Sequence, residues 1–106
     1  MITFIVHMRV KPGNENAFEA LMNCVVERTR EREPGVLYYH YAKSVDAPGV
    51  YVVVEVYRDA RAHAAHMESE WVRRALPESL RLLDGKPDIR QYVSAGAAPV
   101  KWRIQW

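Results

Sequence analysis

Glu55 and His66 are the two residues of this chain best suited to do chemistry together. Glu55 is the one acid in the apolar stretch from Val50 to Arg58, and His66 follows eleven residues later in an Ala-rich stretch of helical propensity. A strand, a loop and a helix of that combined length can fold back so that the two side chains face each other. A carboxylate bonded to an imidazole holds one tautomer and makes the ring more basic. Such a base can take the proton of a phenol or quinol, which leaves a ring electron-rich enough to pass an electron to dioxygen. The same pair also reads as a buried hydrogen bond that joins helix to sheet, and the residues alone leave both readings open.

Other polar candidates surround this pair. His7 lies on the face of the first strand opposite Phe4 and Val6, and Arg9 shares that face. If the first and third strands are neighbours, His7 and Glu55 line one cavity; the alternative is a partly exposed strand histidine. Arg9 is suited either to an anionic group of a substrate or to solvent at the sheet edge. His40, between Tyr38 and Ala42, reads as structural. His63 stands three residues before His66 and shares its helix face. Two histidines without a third ligand of clear spacing make a weak metal signal, so no metal is expected and His63 is expected to be exposed. Tyr39, Tyr41, Tyr51, Tyr57 and Trp71 supply aromatic surface. Tyr57 and Trp71 are the expected pocket walls, because the helix that follows Ser69 should cover the cavity.

The elements that must position these residues follow from periodicity. Ile2 to Lys11 alternates with a strand period, and Pro12-Gly13 ends it. Asn14 offers an N-cap to a helix whose apolar stripe is Phe18, Leu21, Met22, Val25, Val26 and Thr29. Pro34-Gly35 stops that helix. Val36 to Val45 and Val50 to Arg58 form a hairpin about the turn Asp46-Ala47-Pro48-Gly49. Asp59 caps the next helix and Ser69 a further one, which Pro77 should kink or divide. Ile89 to Ser94 is a short last strand. Trp102, Ile104 and Trp106 alternate in a strand-like tail.

The order β-α-β-β-α-β, with its second helix split, is the ferredoxin-like α+β arrangement with an antiparallel sheet. Residues 1–95 form the expected domain, and 96–106 an extension that could pack on a partner subunit. Helices cover one sheet face only, yet Val52, Val54 and Val56 make the other face apolar as well. A sheet of that kind calls for a second sheet, and hence for a two-fold homodimer.

Composition narrows the function classes. The chain has 106 residues, 49% hydrophobic and 26% charged, which suits one globular domain and excludes a disordered segment. Fifteen basic and thirteen acidic residues alternate in sign and give a net charge of +2, so no basic stripe for nucleic acid stands out. The apolar runs are too short to span a bilayer, and the N-terminal stretch lacks a basic segment before its apolar part, so neither a membrane role nor a signal peptide is expected. Cys24 is the single cysteine and reads as a small buried hydrophobe. With no intrachain disulfide, a cytoplasmic compartment is expected.

Three segments carry a family resemblance. Val10-Lys11-Pro12-Gly13-Asn14-Glu15-Asn16-Ala17-Phe18, Glu33-Pro34-Gly35-Val36-Leu37-Tyr38-Tyr39, and Val54-Glu55-Val56-Tyr57-Arg58-Asp59-Ala60 with His63-Ala64-Ala65-His66 resemble, in order and spacing, the antibiotic biosynthesis monooxygenase family. The resemblance runs from about Ile2 to Val93. It implies a dimeric α+β barrel and, for some members, quinol or anthrone oxidation with dioxygen and no metal, flavin or nicotinamide. It also matches recurrent Glu and His positions to Glu55 and His66, and a pocket position in the first strand to His7. On this basis the expected function is a cofactor-independent monooxygenase acting on a small activated aromatic, with a small-metabolite isomerase or tautomerase, or a non-catalytic binding domain, as alternatives. Haem-degrading relatives carry a ligand histidine in the helix after the one bearing His66; Val72 to Leu83 contains none.

Overall fold

The computed structural model describes residues 1–101. Its elements are β1 (Ile2–Arg9), α1 (Glu15–Arg32), β2 (Val36–Lys43), β3 (Val50–Tyr57), α2 (Ala60–Glu68), α3 (Glu70–Leu82) and β4 (Asp88–Val93). The four strands form one antiparallel sheet in the order β2-β3-β1-β4, so the ferredoxin-like α+β fold is present. The tail residues Trp102, Ile104 and Trp106 lie outside the described residues. Before them, the Gln91 side chain donates to the Val100 carbonyl at 3.0 Å and accepts from its N–H at 2.8 Å, which holds the chain beside β4.

Side-chain alternation divides the sheet into two unlike faces. Phe4, Met8, Tyr39, Tyr51, Val53 and Tyr57 are buried on the helix side. Tyr39 keeps this register because β2 is irregular between Val36 and Tyr38, where the bulge lets Tyr39 stand opposite Glu55. The other face carries Ile5, Val52, Val54 and Val56, all half-buried, and Tyr38 and Tyr92, both half-exposed.

Helix α1 buries Phe18, Met22, Val25 and Thr29 at steps of four and three, the stripe that its sequence encodes. Cys24 falls one step off that stripe and is exposed, which corrects the expectation of a buried thiol. The Asp59 side chain caps α2 by accepting from the Ala62 N–H at 2.9 Å, and the Ser69 hydroxyl caps α3 by accepting from Val72. The division between these helices therefore falls at Ser69. Pro77 does not end α3, which runs on to Leu82. It sits on the exposed face, and the carbonyl it leaves without a donor belongs to exposed Arg73.

Gly35 sets how closely the end of α1 approaches α2. A Cβ placed there would stand 2.7 Å from the Ala62 Cβ, closer than two carbons can sit. Only hydrogen fits, so the Pro34-Gly35 turn rests directly against α2. No helix of the described residues is long and apolar enough to cross a membrane.

Candidate active site

Helix α2 presents His63 and His66 to the sheet, and both are buried. Burial of His63 differs from its expected exposure. The reason is its spacing of three from His66, which puts both rings on the one face of α2 that packs inward. The His63 ring stacks on Phe4 with centroids 4.8 Å apart and meets Tyr57 edge-on at 5.0 Å. Burial, and then the neighbouring charge of His66, pulls the His63 pKa down to about 4, so its imidazole is neutral at pH 7.

His66 is 2% exposed and sits between rings, 4.9 Å from Tyr39 and 5.5 Å from Tyr57 by centroids. Its Nδ1 lies 3.0 and 3.1 Å from the two carboxylate oxygens of Glu33. The partner that orients His66 is thus Glu33, where the sequence pointed to Glu55. The Trp71 Nε1 donates to the same carboxylate at 2.8 Å. A carboxylate accepts hydrogen bonds, so Nδ1 carries the proton in the neutral ring and Nε2 keeps its lone pair.

Glu55 is held differently. It stands opposite Phe4 on β1 and Tyr39 on β2, and its carboxylate accepts from the Tyr57 hydroxyl. Burial pushes the Glu55 pKa up; the Tyr57 hydrogen bond and the His66 charge oppose this, and Glu33 adds to it. Burial, with the charges of Glu55 and Glu33, also raises the Tyr39 phenol. The Tyr57 phenol is raised by burial first and by Glu55 second. Both phenols are therefore neutral donors at neutral pH.

Glu55, His63, His66 and Tyr39 form part of the wall of a cavity of about 110 Å³ between the sheet and helices α2 and α3. Ser79 is its other polar side chain; the rest are apolar, with Met8, Met22, Val53 and Val72 in the wall. Phe4, Val6 and Met8 alternate into this cavity from β1. His7 and Arg9, on alternate positions, are exposed on the far face. His7 pairs in register with Val52 and Asp88, so His7 and Glu55 occupy neighbouring strands but opposite sheet faces. That corrects the expectation that they line one cavity. His40 is likewise exposed on the far face, opposite Val54.

The two expected aromatic walls also sit elsewhere. Tyr57 is fully buried behind the wall, where it holds Glu55. Trp71 lies in a separate cleft between α1 and α3, with Leu21, Cys24 and Arg28. Helix α3 does cover the cavity, but through Val72, Leu76, Ser79 and Leu80, a stripe that Trp71 misses by one position.

Glu33 escaped notice in the sequence, although a signal was present. An acid at the C-terminal end of a helix opposes the helix dipole. Glu33 is the C-cap of α1, where basic Arg30 and Arg32 are the expected neighbours. An acid in that unfavourable place signals a partner beyond the helix. Among the described residues, no three His, Cys, Asp or Glu side chains converge as a metal site requires.

Residues 1–78 match the model of a family described as antibiotic biosynthesis monooxygenase. Among solved structures, the chain is similar to a Caulobacter crescentus CB15 protein proposed to be an antibiotic biosynthesis monooxygenase. The two are 25% identical over 86% of each chain, with a TM-score of 0.82. A Mycobacterium tuberculosis protein is 24% identical over 95% of this chain and 96% of its own, with a TM-score of 0.80. A conserved protein of Methanosarcina mazei Go1 is 23% identical over 86% of this chain and 89% of its own, with a TM-score of 0.81. The last two likenesses speak for the fold alone. Among curated proteins, none matches.

Proposed function

The chain belongs to the antibiotic biosynthesis monooxygenase family, and on that premise we propose that it is a cofactor-independent monooxygenase. It oxidises a small activated aromatic of quinol or anthrone type with dioxygen, as a homodimer in the cytoplasm. The observation that carries this reading is His66, a buried imidazole in the wall of an apolar cavity with its Nδ1 fixed by Glu33.

In this reading His66 Nε2 takes the proton of the substrate hydroxyl. Glu33 holds the tautomer that leaves this lone pair available. Glu55, with its raised pKa, exchanges a hydrogen bond or proton with a second polar group of the substrate. The phenolate passes one electron to dioxygen, the resulting pair combines at a ring carbon, and water is lost. One quinol and one dioxygen give one hydroxyquinone and one water, so atoms and electrons balance without a further reductant. The apolar wall keeps bulk water from the reacting pair. Tyr57 and Trp71 act as positioning residues, on Glu55 and Glu33 respectively.

The homodimer rests on the far sheet face. Ile5, Val52, Val54 and Val56 make a contiguous apolar surface with no helix of the described residues over it. A second copy of the same face is self-complementary under two-fold symmetry.

A second reading is favoured by the presence of Glu55 and His66 in one cavity wall. An acid whose pKa is raised and a base in the same wall also suit a tautomerase or isomerase, which needs no dioxygen. Turnover of metal-stripped protein under labelled dioxygen separates the two. The monooxygenase reading requires one labelled oxygen in the product and the other in water. Unlabelled product, with an isomerised substrate, would leave the second reading standing.

A further inference from the structure

The cavity under α2 and α3 is selective in both charge and size. Its wall contains no Lys or Arg among the described residues. Its ionisable members are Glu55, His63, His66 and the Tyr39 phenol, and burial keeps His63 and Tyr39 uncharged at pH 7. Arg9 and Arg90, the basic residues of β1 and β4, are exposed. Arg9 and Arg90 alternate with the residues that line the cavity, and Arg90 pairs with Asp88 at 3.2 Å. An anionic ligand would lie beside the Glu55 carboxyl in an apolar wall whose His66 imidazole is already engaged by the Glu33 carboxylate, which is disfavoured. A hydroxyl or an amine instead meets acceptors at Glu55 and His66.

Size gives the second limit. The cavity measures about 110 Å³. A dry apolar cavity of about 150 Å³ holds a single benzene ring. One substituted ring can therefore occupy this site with its edge in the opening, whereas three fused rings would leave most of their surface outside it. The half-buried rim residues, Leu76, Leu80, Pro87 and Ile89, are apolar and suit contact with the edge of one ring.

Resting on the reading of this cavity as the substrate site, we infer that its ligand is a single-ring molecule, neutral or cationic, with a hydroxyl or amine donor. Carboxylates, phosphates and three-ring anthrones are disfavoured. Of the two substrate types proposed above, this selects the quinol.

Methionine methyl NMR tests the inference without any turnover. Of the four methionines, Met8, Met22 and Met67 line the cavity, whereas Met1 is 58% exposed and does not. Methyl-labelled protein is titrated with phenol, aniline, benzoate and anthrone. Phenol and aniline are expected to shift the three cavity methyls in a saturable way and to leave Met1 in place. Benzoate and anthrone are expected to bind more than about tenfold more weakly. Benzoate binding within tenfold of phenol would overturn the charge selection, and equal binding of anthrone would overturn the size limit. Phenol that moves none of the three methyls would overturn the site itself. Phenol binding here, with no quinol oxidised in any assay, would remove the monooxygenase reading and leave this inference intact.

Discussion

The Glu33 carboxylate sits 3.0 Å from the Nδ1 of His66, and this contact ties the end of α1 to α2 across 33 positions of sequence. The carboxylate is 9% exposed and the imidazole 2%. It also accepts from Trp71 on α3, so one side chain joins all three helices. A buried carboxylate with two donors in place is satisfied; with one removed, the remainder is costly.

Glu33→Ala should therefore impair both stability and function. Loss of the acceptor leaves buried donors on His66 and Trp71, a cost of about 1–3 kcal/mol each where water cannot enter. Chemical unfolding should show a reduced midpoint. Trp71→Phe removes one donor and keeps His66 paired, so it should lower stability and reduce kcat much less than Glu33→Ala does. Equal loss of kcat in the two variants would contradict a role for Glu33 through His66.

The neutral burial of His63 predicts an acid limb in stability. Its pKa falls from 6.5 in the unfolded chain to about 4 in the fold. Between these values the unfolded chain binds more protons, so stability rises with pH there. The contribution is complete above about pH 6.5 and is lost as pH drops through 4, up to about 3 kcal/mol in total. Urea unfolding from pH 4 to 7 should show that slope, and His63→Phe should flatten it. An unchanged slope in the variant would assign the limb to other groups.

The contact at Gly35 should behave as a steric pair. Gly35→Ala puts a methyl within 2.7 Å of the Ala62 Cβ and forces α2 away from the turn after Glu33. A loss of about 1–3 kcal/mol is expected, as for other overpacked sites. Ala62→Gly in the same chain should restore much of it, and a double-mutant cycle reads the coupling directly. Additive losses would show that the two positions do not meet.

The apolar far face should hold two copies together. Sedimentation of the parent chain should give about twice its mass of 12.3 kDa. Val54→Glu places a charge in the middle of that face and should yield monomers. A monomeric parent chain would refute the dimer.

The fold was legible because its signals are local and periodic. The α1 stripe, the Asp59 and Ser69 caps and the hairpin about Asp46 to Gly49 all stand where the residues put them. The site was legible in its residues but not in its pairings. Glu55 and His66 do share the cavity wall, because strand alternation and helix spacing set their faces. Their hydrogen-bond partners were not readable. Tyr57, two residues from Glu55 on the same strand face, takes the Glu55 carboxylate. Glu33 reaches His66 from the end of α1, which the absence of a side chain at Gly35 lets rest against α2. His7 differs from its expected place for a simpler reason. β1 and β3 are neighbours, but strand alternation puts His7 opposite Val52, on the far face from Glu55.

The central claim is that His66 removes a proton from an aromatic substrate which then reacts with dioxygen. Dioxygen uptake by metal-stripped protein, measured with single-ring quinols and with His66→Ala run in parallel, tests it most directly. Uptake above autoxidation is expected with the parent chain, and its loss, by about 100-fold or more, in the variant. Equal uptake by the two proteins, or none above autoxidation with any quinol, would contradict it.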